Sequence, residues 1–212
     1  MQHVNGCVTV DNCNSLSSIF RYIIKYGPES RANKWSKQQP LMVLFRDNLE
    51  ECIDRLVNTG DEQYDVVCRS GYCGCWCNIM FAAILSSRYS SVLGKSSPSK
   101  GVYPCYLFAE DLSEVYLCYM MASGDKYENT LKRIVREIRN LGVFEDYEND
   151  TSTMVMGKDT HKYRFATICF KKYALQDIGD NNKLERDLMD LMDIHRQHGD
   201  RVYELYMKNM KT

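Results

Sequence analysis

Apolar residues recur at three-to-four spacing near the start of the chain, at Leu16, Ile19, Phe20, Ile23 and Ile24, which predicts one buried helix face. Asn14 and Ser15 stand where a cap belongs, and Gly27-Pro28 predicts the stop. A polar, basic stretch leads to a stronger pattern at Leu41, Leu44, Phe45, Leu49, Cys52, Ile53, Leu56 and Val57, ended by Asn58-Thr59-Gly60. The period then changes. Residues 64–69, 79–85, 102–108 and 115–121 are short β-branched and aromatic runs between turn residues, and the last two read as a hairpin. A third helix is predicted over 129–141, with Leu131, Ile134, Val135, Ile138 and Leu141 inward and Lys132, Arg133, Arg136 and Arg139 outward. A strand over 163–173 precedes a helix opened by Asn182, with Glu185 at capping-box spacing and Leu184, Leu188, Leu191 and Met192 as its stripe. A further helix at Val202, Leu205 and Tyr206 is predicted at the end, and only 86–100 reads as a long loop.

The expected fold is α+β: a central, mostly antiparallel sheet flanked by helices in a single domain over 1–212, with its core at about 40–198. The 212 residues and 44% apolar content suffice for one sizeable core. With 27 Lys+Arg against 28 Asp+Glu, the chain as a whole has no strong field, so any attraction to nucleic acid must be local. No apolar run is long enough for a membrane span, and the first residues lack the order of a signal peptide. The expectation is a cytoplasmic protein in a reducing compartment.

Several chemistries fail on spacing. Gly94-Lys95-Ser96 ends like a phosphate-binding loop, but the required earlier glycine position is Tyr89. No Asp or Glu is followed two positions later by Lys, as a metal-dependent nuclease commonly shows. Pro104-Cys105 lacks the second cysteine of a zinc deaminase, because position 108 is Phe. Cys68, Cys73, Cys75 and Cys77 crowd together without the separated pairs of a zinc site, so reduced thiols are the favoured reading over structural zinc. Composition alone leaves Cys–His catalysis open, with no particular pair favoured. The expectation is a non-enzyme needing no metal or cofactor.

The informative region is 66–121. Gly71 and Gly74 bracket a turn, Trp76 and an apolar strand follow, and 86–101 holds Arg88, Lys95 and Lys100 without an acid. Its exit strand opens with Tyr103-Pro104. Aromatic rings beside a locally basic loop are what an unstacked base requires; a Tyr-rich sheet core beside a solvated loop gives the same pattern.

The glycine turn, the apolar strand, the polar loop and then GVYPCYLFAEDLSEVYLCYMMASG resemble the N-terminal DNA-binding domain of the McrB family, over roughly 40–198. That resemblance implies a module that flips a modified cytosine, such as 5-methylcytosine, out of double-stranded DNA into an aromatic pocket. By motif position Tyr103 is a pocket wall and Leu107 touches the base. Phe81 stands where the family usually has Trp after Pro, here Met80-Phe81. The remaining wall is a Tyr of the glycine turn, at Tyr72 or Cys73 depending on the alignment. Arg69, Arg88, Lys95 and Lys100 are the candidate phosphate contacts, together with the basic helix face. The resemblance also implies a GTPase motor or nuclease as partner, in a restriction system. The alternative is an interaction module of the same fold that binds protein or unmodified nucleic acid without base flipping.

Overall fold

The computed structural model describes residues 13–33, 39–72, 75–122, 128–157, 160–179 and 182–210. Helix α1 (Leu16–Ala32) opens with a reciprocal capping box: Ser15 Oγ accepts from the Ser18 N–H at 3.2 Å, and the Ser15 N–H donates to Ser18 Oγ at 3.1 Å. It does not stop at Gly27-Pro28, as the sequence predicts, but continues through Pro28 to Ala32. The reason is tertiary. Gly27 admits the Leu112 side chain so closely that a Cβ there would lie 2.5 Å from Leu112 Cδ1. Beyond it, Arg31 donates to the carbonyls of Glu110 (2.5 Å) and Cys77 (2.8 Å), which pins the last turn.

The second helical pattern is one stack of three pieces: α2 (Pro40–Val43), a π-helical stretch Leu44–Asn48, and α3 (Leu49–Val57). Within the π stretch Leu44 and Phe45 are both buried, and the Leu49 N–H reaches the Leu44 carbonyl, five residues back. Asn58 ends the stack as expected. Its side chain also accepts from the Tyr64 N–H at 2.7 Å and donates to the Tyr64 carbonyl at 3.0 Å, fixing where the sheet begins.

Next come β1 (Tyr64–Tyr72) and β2 (Cys75–Ser86). The predicted loop over 86–100 is instead ordered as one helical turn, α4 (Ser87–Ser90), and a small hairpin of β3 (Ser91–Val92) and β4 (Lys95–Ser96). Then follow β5 (Val102–Phe108), β6 (Glu114–Met121) and α5 (Glu128–Arg139), with Gly142 at φ +70° just beyond the helix. The predicted strand over 163–173 splits into α6 (Lys162–Ala166) and β7 (Thr167–Ala174). The aromatic run Tyr163-Arg164-Phe165 imitates a strand, but its Tyr163 and Ala166 pack across the sheet rather than within it. The last two predicted helices are one, α7 (Lys183–Met210), of 28 residues.

The main sheet has the order β1-β2-β5-β6-β7 with every neighbouring pair antiparallel. On one face Tyr106, Phe108, Leu117 and Tyr119 meet the helices, with Phe20 edge-on to Tyr106 at 4.9 Å and Phe45 edge-on to Phe108 at 5.2 Å. On the other face Ile79, Ala83, Tyr103, Cys105, Leu107, Tyr116, Cys118 and Phe170 form a second cluster, closed by Met154 and Ala166. This is an α+β architecture. The buried core extends beyond 40–198 on both sides, through Leu16–Ile23 of α1 and through Val202 and Tyr206 of α7. No helix among the described residues is long and apolar enough to cross a membrane.

One buried group of this core titrates. His195 on α7 sits beside Tyr64, Tyr89 and Tyr119, with Nδ1 at 2.7 Å from the Tyr119 hydroxyl, and burial together with Arg196 pushes its pKa down to about 3. It is therefore neutral in the folded protein, while an unfolded His gains its proton below a pH of about 6.5. Stability from this group is present above that pH and is lost as the pH falls toward 3. Urea unfolding at pH 7.5 and 5.5 should show about 1.4 kcal/mol lost to His195, and His195→Gln should remove that part of the pH dependence. An unchanged slope in the variant would refute this.

Candidate functional site

The GVYP segment explains itself from its first residue. Gly101 sits at φ +87°, and a Cβ there would lie 1.6 Å from the Tyr89 carbonyl oxygen, so only glycine fits beneath α4. This tight passage delivers the chain into β5 with Val102 facing the helices and Tyr103 facing the second cluster. The Tyr103 hydroxyl donates to the Pro98 carbonyl at 2.7 Å, and burial pushes its pKa well above the ordinary tyrosine value. Tyr103 is 4% exposed and Leu107 fully buried.

Strand register then decides which of the expected pocket residues are neighbours. Phe81 lies opposite Leu107, Arg69 opposite Phe81, and Tyr116 opposite Leu107, so these four form one row across β1, β2, β5 and β6 on the second face. Tyr103 shares that face but stands four residues, roughly 13 Å, along β5. Tyr72 ends β1 on the other side of the row, three residues beyond Arg69, roughly 10 Å away. Tyr103 and Tyr72 thus occupy opposite ends of the sheet. Cys73 lies outside the described residues.

The second face is covered unevenly. Over Leu107 and Tyr116 residues 154–157 and 160–166 form the cover, held by three polar links. The Val155 N–H donates to the Tyr116 hydroxyl (2.7 Å), Thr160 Oγ1 to Glu110 Oε2 (3.0 Å), and Arg164 Nη2 to the Met154 carbonyl (2.5 Å). Toward β1 the cover ends: Phe81 and Val67 are half-buried and Arg69 is exposed. The accessible flank of the cluster is therefore the Arg69–Phe81 part of the row.

Of the expected phosphate contacts, Arg69 and Lys95 are exposed, Lys100 is half-buried, and none of them makes an ion pair among the described residues. Arg88 is held by Asp200 at 2.7 Å, with both side chains more than half exposed. The basic face of α5 is not uniform. Lys132 pairs with Glu128 at 2.6 Å and lies over the Phe165 ring, whereas Arg133 and Arg136 are exposed. Arg139 is a clamp on the sheet: its guanidinium donates to the carbonyls of Ile168 (2.6 Å) and Thr167 (3.2 Å). A helical wheel cannot reveal that contact, because β7 reaches Arg139 only in three dimensions.

Burial pushes the thiols of Cys68 and Cys77 above the ordinary cysteine value, which disfavours the thiolate. Among the described residues no three His, Cys, Asp or Glu side chains converge as metal ligands. The sequence reading missed a cavity of about 760 Å³ on the helical side, lined among others by Ser18, Arg21, Tyr22, Lys25, Leu175 and Glu185. Its walls come from two segments far apart in the chain, so no local pattern marks it.

The Tyr103–Pro98 bond generates a test. Tyr103→Phe keeps the ring and removes one hydrogen bond, which should lower unfolding stability by about 0.5–1.5 kcal/mol in urea titrations. A variant as stable as the parent would show that the hydroxyl does not tie the 97–99 turn to the sheet.

A family model described as MrcB-like, N-terminal domain, matches residues 22–199. No curated protein and no solved structure matches the chain. The match runs from within α1 into α7 and takes in the whole main sheet, the GVYP segment and the basic loop. The chain belongs to the MrcB-like N-terminal domain family.

Proposed function

We propose that this chain is a non-catalytic DNA-binding module that reads a modified cytosine by receiving the extruded base on the second face of its sheet. The observation that carries this reading is the row Arg69–Phe81–Leu107: a cation, an accessible ring and an apolar floor placed side by side by strand register. Family membership supports it. Arg69 is positioned for a phosphate, Phe81 for stacking and Leu107 for the buried edge of the base. Leu107 and Tyr103 are both covered: a base touching Leu107 must part the cover at Met154 and Ala166, and one reaching Tyr103 must displace the Pro98 turn.

The energies are compatible. Extruding a base costs a few kcal/mol and stacking returns about 1–3 kcal/mol per base. A methyl group buried against Leu107 adds about 0.8 kcal/mol, roughly fourfold in affinity. A GTPase motor or nuclease acting with this module would supply the chemistry that the row lacks.

One observation favours the alternative, a module that binds protein or unmodified nucleic acid without flipping. Tyr103 and Leu107 are packed as core, at 4% and 0% exposure. Matched duplexes, unmodified and 5-methylated, decide between the two when titrated at two salt concentrations. Base reading predicts roughly fourfold tighter binding of the modified duplex; Phe81→Ala should weaken binding of that duplex by about 1–3 kcal/mol and abolish the preference. Lys95→Ala should weaken both duplexes alike and reduce the slope of log K against log salt by about 0.9. Equal affinity for the two duplexes in the parent protein would remove the base-reading proposal, and no binding to either would remove DNA as the partner.

A further inference from the structure

Helix α1 and the turn after β7 line the cavity of about 760 Å³ on the helical side of the sheet, away from the Arg69–Phe81–Leu107 row. Helical spacing sets one wall. Arg21 and Lys25, four residues apart, place two cations on it, and Tyr22 and Tyr26, also four apart, place two rings beside them with centroids at 4.8 Å. Lys25 Nζ lies over the Tyr26 ring at 5.0 Å. The other wall offers Leu175, 42% exposed, just past the end of β7. Arg21 ties the two walls together, because its Nε donates to the Ile178 carbonyl.

Glu185, on the first turn of α7, lines the far end of the cavity. The Cys52 thiol feels its charge and meets the Leu16 backbone, which puts Glu185 beside the start of α1. Its Oε2 is buried and has no hydrogen-bond partner among the described residues. A buried carboxylate oxygen without a donor is costly, so this position calls for one. Lys25 stands nine residues along α1 from Leu16, roughly 13 Å, so the acid and that cation occupy opposite ends. Arg21 lies between them and is turned to Ile178.

We propose that this cavity binds a free guanine nucleotide, with the base at Glu185 and the phosphate at Arg21 and Lys25. Its volume lies in the ordinary range of small-molecule sites, about 300–1,000 Å³. The two ends call for opposite chemistry, a hydrogen-bond donor at one and an anion at the other. Tyrosine rings and Leu175 between them suit a flat heterocycle. Among the nucleobases guanine presents two adjacent donors on one edge, N1–H and the N2 amino group, and a carboxylate accepts both side by side. Adenine and cytosine set a bare ring nitrogen against that carboxylate, and thymine flanks its single N–H with carbonyl oxygens. A free amino acid carries its two charged groups on one carbon and cannot span the ends. The site does not rest on base reading, since it faces away from the row and takes a free nucleotide rather than duplex DNA.

Calorimetric titration of the whole chain with GMP, AMP and inorganic phosphate, without DNA, tests this. GMP should bind at least about 10-fold more tightly than AMP, and phosphate more weakly than either. Glu185→Gln removes a charge whose Oε2 bonds nothing in the described protein. It should lower GMP affinity roughly 10- to 100-fold, the loss of a charge-assisted pair, and leave AMP unchanged. Lys25→Gln, at an exposed position, should weaken GMP and AMP by the same factor. Equal binding of GMP and AMP, or a GMP affinity unmoved by Glu185→Gln, overturns the base assignment. Phosphate binding as tightly as GMP would reduce the cavity to an anion site, and no GMP binding up to about 1 mM would remove it altogether. A guanine-containing trinucleotide that binds more tightly than GMP would assign the cavity to single-stranded nucleic acid instead. The comparison of GMP with AMP uses the parent protein, so it decides the matter even where a variant fails to fold. None of these outcomes depends on whether a modified duplex is preferred.

Discussion

Strand β5 is buried along its whole length on both faces, and the rest of the molecule is arranged around that constraint. Tyr106 and Phe108 on one side require the helical layer, and Tyr103, Cys105 and Leu107 on the other require a second cover. A helix bundle on one face alone would leave this second set in water. Residues 154–157 and 160–166 and the turn at Pro98 provide that cover, each tied down by hydrogen bonds to side chains of the sheet or its turns. Tyr103 and Leu107, which the family motif brings forward, are therefore packed as core.

In the proposed function that packing shapes how a base is received. Phe81 and Arg69, toward the β1 edge, are accessible without any rearrangement, whereas Tyr103 is reached only by parting its bond to Pro98. The same turn is the root of the β3–β4 hairpin. In the proposed function a base that passes beyond Phe81 to Tyr103 must displace the segment that carries this hairpin.

Helix α7 holds the two halves of the sheet to one frame. Near its start Asp187 is partly buried, which works against its charge, yet bonds from Lys171 (2.7 Å) and the Tyr173 hydroxyl (2.8 Å) keep its pKa below the ordinary carboxylate value. Midway, His195 faces Tyr119 of β6 and Tyr89 of α4, and just beyond it Gly199 and Asp200 seat Tyr89. The basic hairpin is thus anchored to the C-terminal helix as well as to the strands it joins.

Local periodicity by itself determined the helical and strand character of most segments, the β5–β6 hairpin and the α+β class, and one contiguous motif carried the family resemblance. The sequence misled wherever a distant contact overruled a local preference. Pro28 stays inside α1 because Leu112 and Arg31's partners hold the helix past it, and Tyr163–Ala166 turns helical because it packs over the sheet. Of the candidate site, Tyr103, Leu107 and Phe81 were legible as a motif, but their grouping was not. Only strand register puts Phe81 between Arg69 and Leu107 and sends Tyr72 to the far end. Arg139 read as a free cation until β7 supplied its carbonyl partners, and Leu93 read as part of a polar loop until its left-handed turn, at φ +51°, exposed it. Spacing along a chain encodes which face a residue takes within its element; which element lies opposite is fixed only when the whole core closes.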